Sequence, residues 1–438
     1  MKKLLLLFAL WCMGVAYPLV SWGGNYKDAR GVKWTFYPID DADETTTGLK
    51  AEITYAKDYG TEVEVPGTVY DDDGIAYTVV KMSNVFRSRN SLQKVTLPTS
   101  VTVLDGTFEE CHYLTTVENM SQITEIGHKT FYECSLNMSI NLPLCTKVGE
   151  MAFYNCRITS VDLPVCTTVG YQAFYFCTGL TSIKLPVCTT VGCQAFYFCT
   201  GLTSIELPAC TTMGSNAFEN CQNLTSIDLP ACTSVEVYTF QDCYSLKSID
   251  LCSCKSVGEY AFSDCLSRIS IDLPSCESVE YNAFNGCAGL KSVNLPVCKY
   301  VGDSAFCHCA QLESINIPSS VTSIGEYAFA YCYGLTKIHV SWNTPPFIHE
   351  NVFEGLDKRE CTLYVPEGTS RNYKQDWTWN QFGNIVEYET NGIENPDAAN
   401  GAVETARYSA NGQQVAASVK GVNIVKYSDG STRKVVVK

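Results

Sequence analysis

The chain has 438 residues, 46% of them hydrophobic, with a formal net charge of −15 and a pI near 4.8. That length admits two or three ordinary domains or one long stack of repeats, and the negative charge argues against nucleic acid as a partner, since phosphate backbones are bound by clustered Lys and Arg. The same charge keeps a large exposed protein in solution and says nothing about its fold.

The chain begins with Lys2-Lys3, an apolar run from Leu4 to Trp11, and small residues at Gly14 and Ala16. This is the layout of a secretory signal peptide, taken as residues 1–22. The run is too short to span a bilayer, and no later stretch reaches the roughly 20 apolar residues a transmembrane helix needs. Cys12 invites a lipoprotein reading, which Trp11 disfavours by standing where a lipobox needs a small residue. Residues 23–62 alternate aromatic, β-branched and polar side chains and are expected to form an N-terminal β cap, without which the first coil of a stack would expose its core.

From 63 to 357 the chain repeats itself. Thirteen phenylalanines from Phe86 to Phe353 recur every 21 to 24 residues, the mark of a solenoid. The adjacent units Cys166–Val187 and Cys188–Ala209 differ only at Tyr171/Cys193, Lys184/Glu206 and Val187/Ala209, which implies duplication. The common frame is Leu-x-x-Ile-x-Leu-Pro-x-Cys-x-x-Val-Gly-x-x-Ala-Phe-x-x-Cys. Alternation at Ile183 and Leu185 marks a short strand with one buried face. Pro186 ends it, having no N–H for the ladder. Gly170, Gly192 and their equivalents are placed at a turn toward the back of the coil, where Phe plugs the interior.

Eleven of the 24 cysteines lie three residues after the repeat Phe, and eight more follow the strand. In an exported chain this abundance suggests disulfides. Equivalent residues of adjacent coils, however, lie about 4.8 Å apart with parallel Cβ vectors, whereas a disulfide wants converging Cβ atoms near about 3.8 Å. Buried free thiols are therefore expected. Zinc is disfavoured because the cysteines follow the repeat period and not a paired-knuckle spacing, and neither a metal nor a cofactor is expected.

Residues 358–390, with the preceding Thr344-Pro345-Pro346-Phe347, read as a C-terminal cap whose aromatic bulk seals the stack. Residues 391–401 read as a linker. Residues 402–438 hold short apolar runs split by glycine, around Tyr408, Ile424 and Val435, and read as a small β domain.

Two surfaces are candidates for binding. Between the inward Ile and Leu, the strand presents Glu206, Asp228, Asp250 and Asp272 in successive coils, each pair repelling by roughly 0.9 kcal/mol even at the dielectric of water. This is either a solvated, screened ladder or an acidic stripe that docks a basic partner or a divalent cation; a column of serines beside it would let a partner approach closely. The second surface is Tyr171, Tyr175, Phe176, Tyr197 and Phe198 on the opposite side, either an aromatic platform for a partner or sugar or rings packing laterally. No histidine is fixed beside a nucleophile and an orienting acid, so no enzyme is expected.

The frame resembles the leucine-rich repeat superfamily, and its Ala-Phe-x-x-Cys and Leu-Pro elements resemble the BspA-like branch of surface and secreted bacterial proteins. The resemblance covers about residues 60–390. It implies a mainly β solenoid with parallel strands on the concave face, short turns or helical pieces on the convex face, and an adhesin-like, non-catalytic role toward a protein or glycan of a host matrix or cell surface. The alternative is a structural or assembly component of the bacterial surface. The segment from Tyr408 to Lys438 resembles the C-terminal sorting domain of type IX secretion, which implies export to the cell surface or beyond.

Overall fold

A computed structural model describes residues 23–39, 48–267, 269–388, 404–409, 421–427 and 432–437. The expected signal peptide and linker lie outside these residues. Each coil has three sides. The first is a three-residue strand such as Ser204–Glu206, in which Ile205 is buried and Ser204 and Glu206 are exposed. Equivalent strands pair in parallel and in register, six of them without interruption from Ser139–Asn141 to Ser248–Asp250. The chain then turns through the Leu-Pro-x-Cys segment, with Leu207 and Cys210 buried.

The second side is also a strand. Two-residue segments such as Thr190–Val191 and Thr212–Met213 form a second parallel ladder, continuous from Ala76–Ser83 to Thr212–Met213 and resumed from Ser234–Val235 to Ser323–Ile324. Two residues are too few for alternation to reveal, so the repeat frame does not announce this ladder. The third side is built of turns, and no helix occurs among the described residues of the repeats. Its backbone reaches the next coil: Phe196 N–H donates to Ala217 O at 2.8 Å and Phe198 N–H to Glu219 O at 2.9 Å.

The repeat phenylalanines meet inside this triangle. All thirteen are buried, and the twelve successive pairs stack with centroids 5.0 to 5.7 Å apart and planes within 17°. Burying each ring contributes about 1.5–3 kcal/mol, and the stack closes only because the neighbouring coils supply the two ring faces.

The repeat glycines have a different purpose from the one their turn position suggests. Gly149, Gly170, Gly192 and Gly214 are not in the left-handed region. Instead, a Cβ on Gly170 would lie 2.7 Å from the Gly149 carbonyl carbon, and one on Gly192 would lie 2.6 Å from that of Gly170. The coils touch backbone to backbone there, so glycine is favoured by contact and not by φ, although Glu236 and Glu280 hold the position in two later coils.

The ends differ from the repeats. Gly24–Lys27, Lys33–Ile39 and Lys50–Lys57 form an antiparallel cap, and Lys50–Lys57 continues in parallel onto Ala76–Ser83. Trp34 is buried edge-on to Phe86, at 6.3 Å. At the other end Thr362–Pro366 and Asn384–Tyr388 extend the first ladder, joined by a helix at Ser370–Gln375 and a 3-10 turn at Trp379–Gln381. Glu404–Ser409, Gly421–Tyr427 and Thr432–Val437 form a three-stranded antiparallel sheet.

Gly192→Ala is expected to lower stability by about 1–3 kcal/mol through forced backbone separation. Gly179→Ala, whose Cβ would have no contact closer than 3.4 Å, should change it by less than about 0.5 kcal/mol. Thermal unfolding of the two variants checks this; equal losses would remove the backbone-contact explanation.

Candidate binding surfaces

The strand face carries the acidic column. Glu206, Asp228 and Asp250 are direct register partners, with Lys184 before them, and all four side chains are exposed. The row of four carboxylates expected from the sequence is interrupted before its last member. The ladder breaks between Ser248–Asp250 and Ile269–Asp272, at the coil where Arg268 takes the position that Leu246 and Leu290 hold in its neighbours. Asp272 faces Asn294 instead, whose amide donates to its Oδ1 at 2.8 Å. Earlier in the column Glu118 is held by Lys94 at 2.7 Å, and that ammonium, with the Thr96 hydroxyl, keeps the Glu118 carboxyl below its ordinary range. No such ion pair joins Glu206, Asp228, Asp250 or Asp272 to a basic residue among the described residues. The column ends in Asn316 and His339, the latter buried and stacked on Tyr364 at 4.2 Å.

The aromatic patch is larger and more ordered than its five expected members. Tyr175 and Tyr197 continue a ladder that begins at Tyr132 and Tyr154, with successive centroids 4.7, 4.8 and 4.8 Å apart. Phe176 and Phe198 stack beside it at 4.6 Å. These four expected rings are half-buried, and Tyr171 alone is exposed. Tyr132 and Tyr154 were legible in the sequence as the residue after the repeat Phe, a column that the comparison of two near-identical units leaves out.

Face-to-face stacking has a chemical consequence. The inner rings have both faces covered by their neighbours, and burial pushes the phenols of Tyr175 and Tyr197 above their ordinary range. The inner rings, Tyr154 and Tyr175, therefore offer edges and hydroxyls to a ligand and withhold the faces a sugar would stack on. Phe176 and Phe198 also adopt left-handed φ of 58° and 59°, at a position filled by Asn220, Asp242, Asp264 and Gly286 in later coils. Bulky side chains rarely tolerate this conformation, and here the 4.6 Å stack accompanies it.

The thiols do more than fill space. Each cysteine after the repeat Phe points its Sγ at the carbonyl of the preceding coil's Phe: Cys177 at Phe153, Cys199 at Phe174, Cys221 at Phe196, at 2.9 to 3.1 Å. The strand-end cysteines bond locally, Cys188 to Thr190 O and Cys210 to Thr212 O. Both columns are free thiols, and of the described cysteines only Cys193 and Cys252 are exposed. Burial pushes the Cys166 thiol up to about 11 and those of Cys177 and Cys210 to about 12.

No group of three or more His, Cys, Asp or Glu side chains among the described residues could hold a metal ion. Histidines are dispersed: His308 stacks on Tyr331 and His349 lies 3.8 Å from Glu326. A shallow groove of about 450 Å³ lined by Glu125, His128, Lys147 and Glu150 among others has Lys147 and Glu125 already paired at 2.9 Å. No described helix is long and apolar enough to cross a membrane.

The model of the BspA type leucine rich repeat region matches six times over residues 81–147, 146–268 and 255–367. The chain belongs to that family. A leucine-rich repeat protein from Bacteroides ovatus is 20% identical, with 85% of this chain aligned to all of that one and a TM-score of 0.50, a likeness of fold. A leucine rich cell surface protein from Faecalibacterium prausnitzii is 19% identical over 84% of this chain and 96% of its own, with a TM-score of 0.39. The pneumococcal vaccine antigen PcpA is 13% identical over 84% and 100%, with a TM-score of 0.41. No curated protein matches. Leucine-rich repeat proteins are generally non-enzymatic, and the coils described above have the parallel strands of that fold.

For this BspA-type chain, a thiol reagent at neutral pH is expected to modify Cys193 and Cys252 and to spare the other described cysteines. Peptide mapping checks this, and labelling of Cys199 or Cys221 in the native protein would contradict the buried columns. Above pH 9 the unfolded chain loses thiol protons that the fold retains, because the folded values are raised from 9.0 to about 11–12. Stability is complete below pH 9 and falls as pH rises from 9 toward 12, and urea midpoints measured across that range read the loss.

Proposed function

We propose that this protein is an exported, non-catalytic scaffold at the bacterial cell surface or outside the cell, and that it binds a protein or glycan partner through its strand face. The single observation that carries the reading is the exposed register of Glu206, Asp228 and Asp250, with no ion pair to any of the three among the described residues. Beside it runs a column of Ser204, Ser226 and Ser248, small enough for a partner to approach the backbone. Three carboxylates held at one spacing by the ladder form a fixed negative line. A partner with basic groups relieves their mutual repulsion on binding, which gives specificity and a faster encounter.

Export rests on the basic and apolar start of the chain and on the sorting-domain resemblance of its last residues. The Tyr171, Tyr175, Phe176, Tyr197 and Phe198 cluster serves mainly as packing in this reading, because the stacked rings present edges. Asp272 contributes less than the other acids, since the ladder breaks before it and the Asn294 amide occupies it.

Screening the protein against matrix proteins and immobilised glycans tests the role. The triple change Glu206→Gln, Asp228→Asn, Asp250→Asn should weaken a partner found this way by more than about tenfold at low salt and flatten its salt dependence. Unaltered affinity would remove the strand face from the interface. Deleting residues 402–438 should abolish surface display, and unchanged display would refute the sorting role.

A further inference from the structure

The C-terminal cap holds two rings that sealing the stack does not use. Trp379 and Phe382 are buried and close over the last repeat ring, Phe353, with centroids at 6.0 and 5.6 Å. Phe347 and Trp377 lie outside that seal, against the expectation that the aromatic residues here all serve it. Phe347 is 78% exposed and Trp377 54%. Their centroids are 6.4 Å apart and their planes are tilted by 44°. Among the described residues, no other two exposed aromatic side chains are in ring contact with each other.

The rings sit on a fixed frame. Tyr373 donates its hydroxyl to Trp342 O at 2.7 Å, Asn372 its amide to Asn343 O at 3.3 Å, and Trp379 its indole N–H to Pro346 O at 3.0 Å. Pro345 and Pro346 restrict the same loop further. Ordering of the loop is thus largely complete before any ligand arrives, which favours binding.

Size and chemistry select the occupant. The two rings together expose on the order of 300 Å², well under the roughly 800 Å² that each partner buries in a stable protein interface. Exposed around them are the amides of Asn343, Asn372, Gln375 and Asn380 and the Thr344 hydroxyl, with Arg371 and Lys374 on the same helix and His349 and Glu350 just after Phe347. A pyranose ring has an apolar C–H face suited to an electron-rich ring face and a rim of hydroxyls suited to amides. The open angle between Phe347 and Trp377 leaves ring faces available, which the inner rings of the tyrosine ladder do not.

We propose that Phe347 and Trp377 form a saccharide-stacking site on the C-terminal cap, separate from the strand face and independent of it. The test uses the full chain, with neutral β-linked gluco-oligosaccharides and N-acetylglucosamine oligomers as probes in calorimetry and saturation-transfer NMR. At least one probe should bind the unaltered protein, with loss of more than about tenfold in Phe347→Ala and in Trp377→Ala and retention within about threefold in Trp377→Phe. Melting temperatures should not move, because both side chains are exposed. Absence of binding by every probe, or equal binding by all variants, overturns the site. So does a dimer in sedimentation that Phe347→Ala disperses, because the rings would then be covered by a second copy.

Discussion

Backbone hydrogen bonds, on all three sides through most of the stack, hold each coil against the next, so a side chain in this protein meets its own counterpart one coil away. Every position is therefore tested against itself. Phenylalanine passes because offset parallel rings attract, and threonine passes because its hydroxyl reaches the equivalent carbonyl, as Thr189 reaches Thr167 and Thr211 reaches Thr189. Glutamine pairs with glutamine at Gln172 and Gln194, 2.7 Å apart. Where the backbones themselves touch, glycine fits most closely, as at Gly149, Gly170 and Gly192. Carboxylates fail the test, and for that reason the run from Glu206 to Asp250 stands out from its surroundings.

Cysteine suits this arrangement for two reasons. It is small and apolar enough for a closely packed interior, and its thiol can still donate to a carbonyl. The Phe153 carbonyl accepts the Cys156 N–H of its own turn at 3.2 Å and the Cys177 thiol of the next coil at 2.9 Å. Serine would make the same bond at a higher cost of burial, and alanine would make none. The columns thus link neighbouring coils without a covalent bond.

Much of this was legible in the sequence. The Phe period defined the coil, Ile and Leu defined the strand, and the parallel spacing predicted free thiols. Other features were not. Thr-Val is too short a segment to declare a strand, and Gly192 looks like a turn residue until the preceding coil is placed against it. The half-burial of Tyr175 depends on Tyr154 and Tyr197 lying directly above and below, and that of Phe176 on Phe198, which composition does not reveal. In the cap, Trp377 and Trp379 are separated by one residue, and only the 3-10 turn decides that one is exposed and the other sealed.

The interruptions of the two ladders fall at different coils. The first ladder lapses between Thr116–Glu118 and Ser139–Asn141, between Ser248–Asp250 and Ile269–Asp272, and between Leu290–Asn294 and Ser314–Ile317; the second lapses between Thr212–Met213 and Ser234–Val235. At each lapse in one, the other is paired, and the phenylalanine stack passes through all of them. There is consequently no cross-section at which the rod could hinge or be pulled apart by breaking side-chain contacts alone. Load applied at one end is carried to the other, so a site on the terminal cap and a site on the strand face keep a fixed separation, as the marks on a ruler do.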